Sequence, residues 1–213
     1  MDAVTTRWWW IRHAPVTGHG GRIYGQSDVD ADCGDAASFA ALAALLPADA
    51  VWLASHLRRT HQTATAILAA GGGAAPALGI EPDLAEQNFG AWQGLTHAEL
   101  AARADAAAHR FWLAPAHVAP PGGESFEQVL ARVGAAVTRL TRRHAGRDIV
   151  VVAHGGTIRA ALALALGLDA ERALAFSLDN CSLTRLDHIG PADGSGPGQW
   201  RIVAVNRHPL RLA

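Results

Sequence analysis

The chain has 213 residues, half of them hydrophobic and 17% charged, which supplies a packed core and excludes a disordered chain. Its formal net charge is −1, so nothing global argues for nucleic acid or an anionic membrane as a partner, and any anion site must come from a local cluster. All 18 basic residues are arginines, which excludes a Schiff-base lysine and a P-loop lysine.

Residues 7–12 form the first expected strand, and residues 14–33, rich in Gly and Asp, a loop. Residues 35–46 have helical periodicity and stop at Pro47. Val51–Ala54 is a short second strand, and Ser55 is expected to cap a helix that runs to about Ala70 and ends in three glycines. Residues 78–81 read as a third strand. Residues 84–123 hold a Gly/Trp-rich turn, an Ala-rich helical stretch with a Thr96/Glu99 capping box, and a Pro-rich loop. Such an insertion is expected to be a lid or substrate-binding excursion rather than a second domain. A helix over 125–145 opens on a Ser125/Gln128 capping box and is followed by a buried strand, Asp148–Ala153. A helix over 157–166 closes at Gly167. Two last strands, 183–188 and 200–205, are joined by GPADGSGPG and are expected to be antiparallel to each other. The alternation predicts an α/β fold: one three-layer α/β/α domain over 1–213, with a mostly parallel, mixed central sheet.

Cys33 and Cys181 are too few for a disulfide framework and fit a reducing, cytoplasmic setting. No apolar stretch reaches spanning length without interruption, so no membrane contact is expected. The Trp-rich strand and Ala-rich helices leave a homodimer open.

Several sites can be set aside. Neither cysteine is followed by Arg six positions on, which rules out a cysteine phosphatase loop; GxSxG and HExxH are missing. The eleven histidines lack ligand spacing, and no metal or other cofactor is expected. What remains stands at strand ends: Arg12-His13 after Trp8-Trp9-Trp10-Ile11, Ser55 to Ala64 after the second strand, Glu86 in a loop, and His154-Gly155-Gly156 opening a helix. Ligands of open α/β sheets bind at the carboxyl ends of the strands, and a glycine-flanked helix N-terminus is a natural anion site.

This ordered set resembles the histidine phosphatase superfamily, in its phosphoglycerate-mutase-like branch, over nearly the whole chain. The family's R-H-G signature is Arg12-His13-Ala14, with Ala in place of Gly. S-x-L-x-R-A-x-Q-T-A is Ser55 to Ala64, which puts the family's arginine at Arg59 and leaves Arg58 at a variable position. The acid of L-x-E-x-x-x-G-x-W-x-G falls at Glu86, PGGES is Pro121 to Ser125, and V-V-x-H-G-G-x-I-R runs from Val151 to Arg159.

The resemblance implies a metal-independent phosphomonoester hydrolase acting through a phosphohistidine on a small phosphorylated metabolite, with inorganic phosphate as product. His13 would be the nucleophile, its second nitrogen held by a backbone carbonyl of the loop after the strand. Arg12 and Arg59 would clamp the phosphoryl oxygens, and His154 would donate to them as a cation. Gly155 would add its N–H, and Glu86 would be the general acid. Tyr24 and Gly25 are further substrate-binding candidates, and Phe89, Trp92 and His117 could line the way in. Because the chain stops soon after its last strand and has Thr17-Gly18-His19 where the mutases carry an asparagine, hydrolysis is expected over phosphoglycerate mutase activity. The loop Gly21 to Asp28 looks like that of α-ribazole phosphatases, which makes α-ribazole 5′-phosphate one alternative substrate; an inactive phospho-ligand-binding protein is another reading.

Overall fold

The computed structural model describes residues 3–73, 76–103, 109–191 and 198–210. A six-stranded sheet is built from β1 (Ala3–Arg12), β2 (Val51–Ala54), β3 (Leu78–Ile80), β4 (Asp148–Ala153), β5 (Leu183–Pro191) and β6 (Gln199–Arg207). Its order is β3-β2-β4-β1-β5-β6. The first four in that order run parallel, β5 is antiparallel to β1, and β6 is antiparallel to β5. The sheet is thus mixed and mostly parallel, with the expected antiparallel pair at its end.

Side chains alternate across each strand, so one strand feeds two cores. Trp8 and Trp10 of β1, with Ile149 and Val151 of β4, pack against α4 (Phe126–Arg143) and α5 (Gly155–Leu166). Ile11, Val150 and Val152 face the other way, against Phe39 and Leu42 of α1 (Ala36–Leu45) and Ile67 of α2 (Arg58–Ala70). These are the three layers. Two short helices, α3 (His97–Ala101) and α6 (Ala170–Ala173), complete the set among the described residues.

Local signals explain most boundaries. Both capping boxes form, Thr96 with Glu99 and Ser125 with Gln128, and Gly167 closes α5 in the left-handed conformation. Four expectations need correction. β1 begins at Ala3 and β5 runs to Pro191, because the polar Thr5 and Thr6 pair with Ile189 and His188, backbone bonding that hydrophobic pattern does not reveal. α5 begins at Gly155 rather than at residue 157, its two glycines having hidden the first turn. Ser55 is not the cap of α2, whose N-cap is Leu57; the Ser55 hydroxyl is turned to another use. Among the described residues the Ala-rich stretch is helical over His97–Ala101, and residues 104–108 lie outside them. The loop between the last two strands lies outside them at 192–197.

The Trp8 and Trp10 rings stack at 5.1 Å and 10°, both fully buried. Trp8 Nε1–H donates to Thr141 Oγ1 of α4 at 3.1 Å, which ties the central strand to its covering helix. A Thr141→Val variant keeps the shape and orphans a buried indole N–H. It is expected to lower unfolding free energy by about 1–3 kcal/mol in a urea titration; an unchanged midpoint would show that the bond contributes nothing.

Candidate active site

β1 and β4 pair in parallel with Arg12 opposite Ala153, so the next residue of each strand, His13 and His154, leaves the sheet side by side. Their ring centroids are 5.2 Å apart and both side chains are buried. β2 ends at Ala54 and delivers Ser55 to the same edge, with Arg59 in the first turn of α2. Beyond β3, a short 3-10 turn, Pro82–Leu84, leads the chain back over this edge and sets down Glu86. All four parallel strands therefore contribute at their carboxyl ends, where ligands of such sheets bind.

His13 Nδ1 lies 2.7 Å from the Ala14 carbonyl oxygen, at the start of the loop where such a partner was expected. That contact makes Nδ1 the protonated nitrogen and leaves Nε2 as the free base. Burial first, and then the Arg59 and Arg12 guanidiniums, hold His13 well below the ordinary imidazole value, so the ring is neutral. Asn180 Nδ2 donates to the His13 carbonyl at 2.7 Å, and the Cys181 N–H donates to that of Arg12 at 2.9 Å, which fixes the backbone under both side chains.

His154 is also held neutral, by burial and then by the charges of the Arg59 and Arg12 guanidiniums. Ser55 Oγ sits 2.8 Å from His154 Nε2. The same oxygen accepts the Leu57 N–H, while the Thr60 hydroxyl donates to the Leu57 carbonyl at 2.8 Å. The Ser55 and Thr60 hydroxyls are themselves 3.2 Å apart. His154 Nδ1 is buried without a partner among the described residues, and so are Arg12 Nε and Arg59 Nε. Unpaired buried polar atoms are rare enough to need an occupant.

Glu86 is buried, and its Oε1 accepts the N–H groups of Gln87 and Gly156 at 2.9 and 3.1 Å. Gly156 is required by this approach, since a methyl group there would fall on Glu86 Oε1. The carboxyl thus takes one of the free N–H groups that open α5, with Gly155 beside it.

Three arginines surround this centre, and backbone carbonyls anchor all of them. Arg12 Nη1 donates to Leu178, Arg59 to Gly25 at 2.6 Å and Ser27 at 2.9 Å, and Arg159 Nε to Phe176 at 2.9 Å. None of them has a carboxylate within 4 Å among the described residues. Burial lowers Arg59 from its ordinary value and Arg159 to about 10, in each case against the opposing pull of Glu86.

A cavity of about 520 Å³ opens from Arg12 and Glu86 between the loop of Tyr24 and the excursion of Phe89 and Trp112. Tyr24 lies under the Arg59 guanidinium, 5.0 Å from ring centroid to Cζ, and 6.2 Å from the His13 ring. Gly25 serves through its carbonyl, an acceptor that orients Arg59. Two entrance candidates are corrected. Trp92 is buried in the excursion's own small core with Ile23 and Leu100, and His117 is exposed away from the cavity wall. Arg58 is at the surface and pairs with Asp28 and Asp30, and His56 is exposed. Sequence reasoning missed Ser55 as a partner of His154, Trp112 as the wall, and Arg159. Ser55 and Arg159 both stood in the signatures, and Arg159 carried a further signal: it stands four residues after Gly155, the spacing that returns a side chain to the same helix face.

A profile of the histidine phosphatase superfamily (branch 1) matches residues 8–207. The chain belongs to this family. A glucosyl-3-phosphoglycerate phosphatase of Mycolicibacterium vanbaalenii is 35% identical over 212 residues, covering 92% of each chain. A bifunctional protein of Mycobacterium tuberculosis is 38% identical over 147 residues, 67% of this chain but 38% of that protein, so the chain matches well under half the length of that relative. Among solved structures, the native mycobacterial glucosyl-3-phosphoglycerate phosphatase superposes with a TM-score of 0.78 at 28% identity, over 95% of this chain and 99% of that one. The same enzyme has been solved in complex with inorganic phosphate, and there the TM-score is 0.74, with 28% identity over 95% and 98% of the two chains.

For this histidine phosphatase domain, two imidazoles held neutral have a thermodynamic consequence. The unfolded chain takes protons on both near 6.5, the folded protein only well below that value. The stability they contribute is complete above 6.5 and is lost as pH falls towards the folded values, by at most about 1.4 kcal/mol per pH unit and imidazole. The melting temperature is expected to drop below pH 6.5, and His154→Asn to flatten that drop. An identical slope in the variant would show that His154 takes up its proton in the folded state.

Proposed function

We propose that this chain hydrolyses phosphomonoesters of small metabolites, with His13 as the nucleophile. The observation that carries the reading is His13 itself: a buried, neutral imidazole with Nδ1 committed to Ala14 and Nε2 free, beside three buried nitrogens without partners, two of them guanidinium N–H donors. A phosphoryl group supplies the acceptor oxygens those donors lack, and its charge lies on the oxygens that Arg12, Arg59 and His154 Nδ1 would hold. The Gly155 N–H and the dipole of α5 add to them.

In the first step Nε2 attacks phosphorus, the P–O bond to the leaving group breaks, and the Glu86 carboxyl proton passes to the departing oxygen. In the second, water attacks the phosphohistidine, gives its proton back to Glu86, and the P–N bond breaks. Inorganic phosphate leaves and His13 is neutral again. The arginines and imidazoles provide the positive charge around the phosphoryl group, so we read the hydrolysis as metal-independent. The excursion over 84–123 acts as the substrate-facing wall of one domain. The relative that matches along nearly the whole chain is named for glucosyl-3-phosphoglycerate, and at 35% identity the reading carried over is the class, a small phosphorylated metabolite.

His13→Ala is expected to lower hydrolysis of p-nitrophenyl phosphate by roughly 10³-fold or more, the scale of losing a nucleophile. Activity that survives this change would remove His13 from the mechanism. Glu86→Gln is expected to cost about 10²–10⁴ in kcat on alkyl phosphates and much less on aryl phosphates, whose leaving groups depart without a proton. Equal losses on both classes would exclude Glu86 as the acid.

A further inference from the structure

Arg12 and Glu86 lie at the inner end of the cavity, and part of its outer wall is a stretch of loop, Phe111, Trp112 and Leu113. This stretch lies between α3 and α4, outside any helix or strand, and Phe111 is 54% exposed. An aromatic ring with so few buried contacts takes its place from its backbone. One side chain holds that backbone. His109 Nδ1 accepts the Phe111 N–H at 3.2 Å and the Trp112 N–H at 3.0 Å. A ring nitrogen that accepts two N–H groups carries no proton of its own, so the ring proton sits on Nε2. Nε2 in turn meets Glu171 Oε1 at 2.8 Å. The other oxygen of the same carboxylate accepts the Ala116 N–H at 2.8 Å. Glu171 stands on α6, whose Ala170 and Ala173 are buried in the core shared with α4 and α5. One imidazole and one carboxylate therefore clasp the wall, at residues 111–112 and again at 116, and tie it to a packed helix.

The two aromatic residues differ in what else secures them. The Trp112 indole donates to Gln87 Oε1 at 2.8 Å and lies against the Arg159 guanidinium, with Cζ 4.5 Å from the ring centroid. For Phe111 the one aromatic contact among the described residues is His109 itself, ring to ring at 6.1 Å and 74°. Its backbone and its ring thus depend on the same imidazole. His109 is not among the residues that line the cavity, so it acts on an occupant only through its neighbours.

We infer that His109 is a positioning residue for leaving-group recognition: through Nδ1 it sets Phe111 and Trp112 where the outer part of a substrate meets them, and it takes no part in phosphoryl transfer. The inference rests on the phosphatase reading and deepens it. Two probes separate the ends of the site. 1-Naphthyl phosphate presents a flat leaving group that reaches the wall, and inorganic phosphate, as a competitive inhibitor, occupies the inner end alone. In His109→Phe the ring stays and the acceptor goes. That variant is expected to raise KM for 1-naphthyl phosphate about fivefold or more, with kcat within about twofold of the wild-type value and the Ki of phosphate unchanged. His109→Asn carries an acceptor oxygen at the same distance along the side chain as Nδ1, and it should restore most of the lost KM. If His109→Phe fails to fold, His109→Gln is read in its place, since its longer amide carries the polar atoms past the Nδ1 position. An unchanged KM, a parallel rise in KM and Ki, a loss confined to kcat, or an Asn variant no better than the Phe or Gln variant overturns the inference. Those failures are distinct from failure of the phosphatase reading, in which the wild-type chain would hydrolyse neither 1-naphthyl nor p-nitrophenyl phosphate, or His13→Ala would hydrolyse both.

Discussion

The parallel pairing of β1 with β4 is the contact on which everything else in this protein depends. It is central in the sheet, it divides the two cores, and its register brings two histidines to the same point at the same height. A slip of one residue would turn Trp8 and Trp10 out of one core into the other and carry His13 away from His154. The hydrophobic packing that stabilises the fold and the geometry of the site are therefore enforced together. The antiparallel partner on the other side of β1 contributes to the same end. Through Asn180 and Cys181, the segment before β5 takes hold of the backbone at His13 and Arg12.

Around this pair the protein concentrates positive charge without neutralising it. Carboxylates would have been the easy way to orient three arginines, and they would also have competed with an anion for them. Carbonyl oxygens of loops and turns do the orienting here, so the guanidiniums keep their charge for an occupant. The cost falls on the imidazoles, which burial and the arginines drive to their neutral forms. For the nucleophile we propose at His13 that is an advantage, since only the neutral ring has a lone pair to offer. The field that would attract a phosphate also keeps that lone pair free.

Much of this was legible in the sequence, and the failures have physical reasons. The strands at the site are short apolar runs that end in charged or polar residues, so Arg12, His13 and His154 could be located at their ends. Arg59 and Glu86 could be located by motif, because each occupies a fixed place in a local signature. What could not be read is whatever depends on two distant segments meeting. Ser55 has the composition of a cap and the position of one, yet across the sheet edge its hydroxyl meets His154, 99 residues away. Trp92 and Trp112 are equally aromatic; only the packed excursion decides that the first fills its core and the second forms the wall. The length of β1 was underestimated for a related reason, since its first residues are held by backbone bonding to β5 and by no hydrophobic pattern of their own.

Gln87 has the widest consequence for its size. Its amide nitrogen donates to the carbonyl of Glu124, its amide oxygen receives the Trp112 indole, and its backbone N–H holds the Glu86 carboxyl. One residue is thus tied to the turn before α4, to the cavity wall and to the Glu86 carboxyl. The indole that walls the cavity and the carboxyl at its floor therefore hang from the same residue, one peptide unit apart.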